Sequence, residues 1–192
     1  MSKKLHQKRS QNQSKKFLKE NKSSLVVILL GILVFSFGIF NYYRVRILSF
    51  NSVPKSSIQI NQNDLPVEVI IPSIQIDLKV DPAEIKNGVW QISQNNATFL
   101  LNSSAPKGDG NTVIYGHNKK SIFGNLPYLS IGQKISVKTN DGSIYNYEVT
   151  EKYFVSPDRV DLVSQSNKKE LTLYTCWGIF DQQRAVVKAR PI

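Results

Sequence analysis

The chain has 192 residues, with 25 Lys/Arg against 14 Asp/Glu and a net charge of +11, room for one domain of ordinary size plus appendages. Residues 1–46 carry ten Lys/Arg and only Glu20, a net of +9, which leaves 15 basic against 13 acidic residues, a net of +2, elsewhere. A folded part so nearly neutral excludes a basic nucleic-acid-binding stripe, so no nucleic acid is expected as a partner; a single cysteine excludes an internal disulfide.

Residues 1–23 are rich in Lys, Ser, Gln and Asn, with almost nothing to bury, and read as a disordered tail. Leu25–Tyr43 is a run of nineteen residues without a charge, which as a helix would reach ~28 Å, the thickness of a bilayer's hydrocarbon core. A transmembrane signal anchor over 24–43 is therefore expected. Basic residues are concentrated before it, so the positive-inside rule puts the N-terminus in the cytoplasm and residues 47–192 outside. A single-pass protein of the cell membrane follows. A cleaved signal peptide is the rival reading, but Arg44-Val-Arg46 stands where small residues would be wanted.

Residues 44–66 read as a linker, polar with two prolines, and the folded domain is expected over 67–192. Short runs at Val67–Ile71, Ile74–Leu78, Ala97–Leu101 and Thr112–Gly116 read as strands. Ile122–Leu129 has room for a short helix. Ile135–Thr139 and Ile144–Val155 flank Asn140-Asp141-Gly142, a hairpin signal, and Leu171–Thr175 with Arg184–Arg190 close the chain as a second hairpin. Regular strand spacing with few helical stretches predicts an all-β barrel or sandwich.

Leu171, Leu173 and Thr175 alternate with Thr172, Tyr174 and Cys176, the pattern of a half-buried strand that carries its thiol on the face opposite the leucines. If the leucines enter a core, Cys176 faces solvent or a groove, where a reactive thiolate has to be. His117 ends the Thr112–Gly116 strand, and the other histidine, His6, lies in the basic tail. His117 is then the only imidazole on the thiol's side of the membrane able to take or give its proton. Arg184 and Cys176 flank one connecting loop and lie at the same end of their hairpin, whereas Arg190 is six residues, about 20 Å, farther along. A guanidinium beside the thiol suits a developing oxyanion.

Thr-Leu-Tyr-Thr-Cys at 172–176, Arg184 downstream, and Gly-Asn-Thr-Val-Ile-Tyr-Gly-His-Asn at 110–118 together resemble the sortases, membrane-anchored cysteine transpeptidases of mainly Gram-positive bacteria. The resemblance covers about 67–192. It implies a closed sortase-type β-barrel of about eight strands with short helices, and Cys176, His117 and Arg184 as catalytic residues. Thr175, Tyr115 and Trp177, beside them in the chain, become the candidate substrate-binding residues. It further implies cleavage of an LPxTG-like sorting signal on a surface protein and transfer through an acyl-thioester to an amine of a cell-wall precursor or a pilin lysine, with no metal and no organic cofactor. Tyr115 stands where many members carry a small residue, and a pilus-type lid motif is not evident.

Two other readings are weighed. An L,D-transpeptidase shares the His, Cys, Arg order but wants its arginine two positions after the cysteine, where this chain has Gly178. A catalytically silent, membrane-tethered binding module would keep the barrel with an unreactive thiol.

Overall fold

The computed structural model describes residues 24–40, 49, 50, 52 and 61–192, and the chain divides into two compact units, Met1–Val45 and Arg46–Ile192. In the first, residues 24–40 form a helix whose apolar side chains are exposed. Among the described residues no helix is long and apolar enough to cross a membrane. Asn41–Tyr43 and the basic tail lie outside the described residues.

The second unit is an eight-stranded closed barrel with an added hairpin. Its strands are β1 (Pro66–Ile71), β2 (Ile76–Ala83), β5 (Ala97–Leu100), β6 (Asn111–Tyr115), β7 (Lys134–Thr139), β8 (Ile144–Val155), β9 (Glu170–Trp177) and β10 (Gln183–Pro191). They close in the order β1-β2-β5-β6-β9-β10-β8-β7, with β7 back against β1. The short strands β3 (Ile85–Lys86) and β4 (Val89–Trp90) form a separate hairpin, turned at Asn87-Gly88, both with positive φ. Most pairs are antiparallel, but β2 with β5 and β6 with β9 are parallel. Closure leaves no barrel strand unpaired, which is how an all-β domain of this size avoids exposed edges.

The expected Ile135–Val155 hairpin is present as β7 and β8, with Gly142 at φ +85° in its turn. The expected helix at 122–129 is reduced to a 3-10 turn at Leu126–Tyr128. The domain also starts earlier than 67: the amides of Asn140 and Asp141 donate to the carbonyls of Leu65 and Asn63 at 2.9 and 3.1 Å, which fastens residues 63–65 to the β7–β8 turn.

Alternation along the strands sorts the core into two layers. Inside the barrel, Val69, Ile71, Phe99, Ile114, Val137, Val149, Leu171, Leu173 and Val187 pack together. On the outer face of β6, β9 and β10 a second apolar layer joins Val113, Tyr115, Tyr174, Cys176 and Val186 to Trp90, Leu162, Val163 and Phe50. Strand β9 is thus buried on both faces rather than half-buried. Its neighbour β6 is parallel, and parallel pairs ordinarily sit between two covering layers. Phe50, within the stretch read as a linker, is 3 % exposed and forms part of that cover.

Candidate active site

Three neighbouring strands bring the expected residues together. Tyr115 of β6 pairs with Tyr174 of β9, and the Gly116 amide donates to the Tyr174 carbonyl at 3.2 Å. His117, two residues beyond Tyr115, therefore comes level with Cys176, two beyond Tyr174. On the other side of β9, Cys176 is the direct cross-strand partner of Arg184. Cysteine and arginine face each other across β9 and β10 on the outer face, and histidine follows the end of β6, two residues past its last pair with β9. Arg190, by contrast, pairs with Glu148 at the far end of β10 and lies 4.0 Å from Glu151 on the surface.

The ends of β6 and β9 are locked by local contacts. Thr175 Oγ1 donates to the Gly116 carbonyl at 2.8 Å, one residue before Cys176 on one strand and one before His117 on the other. Gly116 is obligatory for a different reason: a Cβ there would lie 2.7 Å from Ile122 Cγ2 and 3.2 Å from Phe123 Cδ2. The turn after His117 folds back tightly, with the amides of Lys119 and Phe123 both donating to the His117 carbonyl. His117 Nε2 is buried and meets no hydrogen-bond partner among the described residues, so this nitrogen is uncommitted. Its pKa is held below the ordinary imidazole value, first by burial and then by the Lys119 charge, with Asp181 pulling the other way. Neutral imidazole is thereby favoured.

Arg184 is 1 % exposed, not a surface ion-pairing residue. Its Nη1 donates to the carbonyls of Asp181 and Gln183, each at 2.8 Å, and its Nη2 to the Ser49 carbonyl at 2.8 Å. The first two bonds tie down the β9–β10 connection, where Gly178, Phe180 and Asp181 all have positive φ. Such a backbone costs on the order of 1 kcal/mol per non-glycine residue and persists because its surroundings hold it.

Cys176 has the expected parity but is 1 % exposed, so the expectation that it faces solvent is corrected. The face opposite the leucines is covered. Tyr115 and Tyr174 stack at 5.2 Å, Trp90 sits edge-on to both, and Phe50 packs edge-on to Tyr174 at 5.0 Å and tilted against Trp90 at 5.7 Å. The Tyr115 hydroxyl donates to the Gln91 carbonyl, which binds the β3–β4 hairpin onto this face, and burial raises the hydroxyl's pKa far above the ordinary phenol value.

Of the three candidate substrate-binding residues, only Tyr115 shares the face of Cys176. Thr175 is fully buried with the inward parity of Leu171 and Leu173, so its hydroxyl braces the site and lines no groove. Trp177, half-buried, packs edge-on to Tyr128 at 6.2 Å and tilted against Phe154 at 5.5 Å. The sequence reading missed Trp90, Tyr174 and Phe50. Tyr174 was accessible to it, since it shares the parity of Cys176. Also unread was the role of Thr172, whose hydroxyl donates to Asn111 Oδ1 at 2.7 Å while Asn111 Nδ2 holds the carbonyls of Leu162 and Ser164 at 3.3 and 3.0 Å. That pair seats the 160–164 turn over the second layer.

A profile of the sortase domain matches residues 69–192. Among characterised relatives, Sortase A of Bacillus anthracis is 29 % identical over 124 residues, 63 % of this chain and 56 % of that protein; the chain thus spans little more than half of that relative's length. Among solved structures, the Sortase D5 transpeptidase of Clostridium perfringens superposes with a TM-score of 0.57 at 26 % identity, covering 70 % of this chain and 82 % of that one. Sortase C of Clostridium perfringens, solved with the C-terminal cell wall sorting motif, gives 0.57 at 21 % identity over 70 % and 74 % of the two chains. A domain match over more than half of the sequence, joined to a closed eight-stranded barrel, makes this chain a member of the sortase family.

Proposed function

We propose that the chain is a cysteine transpeptidase that cleaves an LPxTG-like sorting signal and passes the acyl group to an amine. The observation that supports this reading is the cross-strand pair of Cys176 and Arg184, with His117 just past the end of the neighbouring strand β6. The Cys176 thiol passes its proton to neutral His117, and the thiolate so formed attacks the carbonyl carbon of the Thr-Gly bond, forming a C–S bond and a tetrahedral oxyanion. Arg184 N–H groups stabilise that oxygen, a contribution worth ~10²–10³ in rate for a single donor. As the oxyanion collapses the C–N bond breaks, and His117 gives its proton to the leaving amine. The acceptor amine then adds to the thioester, loses a proton to His117 and expels the thiolate, restoring the enzyme. The acceptor is an amine of a cell-wall precursor or of a pilin lysine, and the reaction requires no metal or organic cofactor.

Mass spectrometry after incubation with a sorting peptide tests this. An acyl adduct on the native chain, absent in Cys176→Ala, is expected; an adduct that persists in the variant removes Cys176 from the reaction. A silent binding module would give no adduct in either.

We also propose that residues 24–43 anchor the protein in the cell membrane with its N-terminus cytoplasmic. The uncharged run Leu25–Tyr43 and the helix over 24–40 support this. Release of the protein from washed membranes by alkaline carbonate would argue against it.

A further inference from the structure

We propose that the end of the barrel carrying the β9–β10 connection docks on the membrane surface, through an apolar rim of Tyr128, Ile131, Phe154, Trp177, Ile179 and Phe180. Docking rests on the membrane-anchor reading above for a bilayer within reach, and on the rim's own geometry for the face that meets it.

Tyr128, Ile131, Ile179 and Phe180 are 67, 66, 78 and 75 % exposed, and Phe154 is 44 % exposed. Single exposed apolar side chains are ordinary on a protein surface, but a contiguous group edged by charge marks a surface for a partner. Trp177 joins the group, lying edge-on to Tyr128 at 6.2 Å and tilted against Phe154 at 5.5 Å. The backbone beneath is held in place. Lys152 Nζ donates to the carbonyls of Pro127 and Leu129 at 3.2 and 3.0 Å, and Arg184 Nη1 fixes the 178–183 connection through Asp181 and Gln183. The rim is also not the groove. Trp177 shares the parity of Thr175 rather than that of Cys176, Phe154 pairs with inward-facing Ala185, and Leu126 and Leu129, either side of Tyr128, lie in the barrel core.

Chain length, composition and charge together favour a bilayer as the occupant. The Ser49 carbonyl is held by the same guanidinium that holds Asp181 and Gln183, so the chain passes the 178–183 connection at residue 49. Tyr43 ends the uncharged run only six residues earlier, a reach of at most ~20 Å of extended chain. The rim mixes Trp, Tyr and Phe rings with isoleucines, the composition of side chains that settle at a bilayer's interface. Lys119 and Lys120 are exposed in the turn after β6, and the Lys152 ammonium lies 5.9 Å over the Phe154 ring, which suits anionic headgroups. Because Trp177 and Cys176 are neighbours on β9, docking also fixes the height of the thiol above the bilayer. A peptide held at that height by its own membrane segment then meets the thiol with less search.

The test is tryptophan fluorescence of the full chain in vesicles of phosphatidylcholine and phosphatidylglycerol, with bromine placed near the top of the acyl chains as a contact quencher. The chain has two tryptophans, and Trp90, at 3 % exposure, supplies an unquenched background. Bromolipid should remove the share of the emission that Trp177 supplies, and quenching should vanish in Trp177→Phe. The double variant Ile131→Ser with Ile179→Ser, which alters only exposed side chains, should lower the docking equilibrium about a hundredfold and abolish quenching. Quenching that persists in the double variant overturns the rim as the docking face. An unquenched native chain overturns docking altogether. The face then belongs to the peptide if the double variant raises KM for a sorting peptide, or to a second copy if it dissociates a dimer. An alkaline carbonate wash reads the anchor separately. Retention with Trp177 unquenched rejects the docking alone, whereas release of a chain whose Trp177 was quenched rejects the anchor alone.

Discussion

Cys176 and Arg184 face each other directly across the β9–β10 pair, and each is 1 % exposed. Arg184 therefore has two connections: its backbone is paired with that of Cys176, and its guanidinium ties the 178–183 connection to β10 through the carbonyls of Asp181 and Gln183.

Arg184→Ala is expected to lower kcat/KM by ~10²–10³ and also to destabilise the domain by about 1–3 kcal/mol, because buried carbonyls lose their donor. Arg184→Lys should fall short as well, since an ammonium cannot reproduce a planar fork of donors. Peptide turnover and a denaturant midpoint read the two effects. Wild-type stability in Arg184→Ala would show the carbonyl bonds to be idle.

His117 predicts the pH dependence. Its folded pKa lies below the unfolded value of ~6.5, so the unfolded chain binds more protons in the window between the two. Its contribution to stability is then complete above about pH 6.5 and is lost as pH falls through that window. In kcat/KM, Lys119→Gln should move the His117 limb to higher pH and Asp181→Asn should move it lower. Shifts in the opposite directions would mean that another group governs the profile.

Gly116→Ala forces a methyl group against Ile122 and Phe123. A destabilisation of about 1–3 kcal/mol is expected from overpacking. The adjoining His117 also moves out of line with Cys176, so activity should fall further than stability, as thermal melts and adduct formation will show. Native activity in this variant would mean that the turn after His117 yields freely.

Thr175→Val removes the hydroxyl that donates to the Gly116 carbonyl while keeping the side chain's shape. The cost should be about 1 kcal/mol in stability, with the loss in turnover appearing in kcat more than in KM, because Thr175 faces away from the groove. A KM effect alone would return Thr175 to the substrate surface.

Much of this site was legible from local pattern. The parity of Leu171, Leu173 and Cys176, the strand-end position of His117 and the choice of Arg184 over Arg190 all follow from a period of two and one hairpin, which are properties of neighbouring residues. What covers Cys176 was not legible, because Phe50, Trp90 and Leu162 reach it from three separate parts of the chain. Thr175 was misjudged for a related reason: adjacency to the thiol in sequence means the opposite face in a strand. The boundary at 67 was drawn at the first apolar run, whereas the Leu65 and Asn63 carbonyls join the barrel through backbone bonds that leave no side-chain signature.

Cys176 and Arg184 owe their alignment to ladder pairing between β9 and β10, and His117 to the β6–β9 ladder and the tight turn that follows it. Connections that carry none of the three residues, such as that from β8 to β9, can therefore change in length and composition while the chemistry stays in register. Selection for a new peptide or a new acceptor can act on those connections as independent parts, and a designer can graft them in the same way, provided Gly116 and Thr175 continue to pin the strand ends.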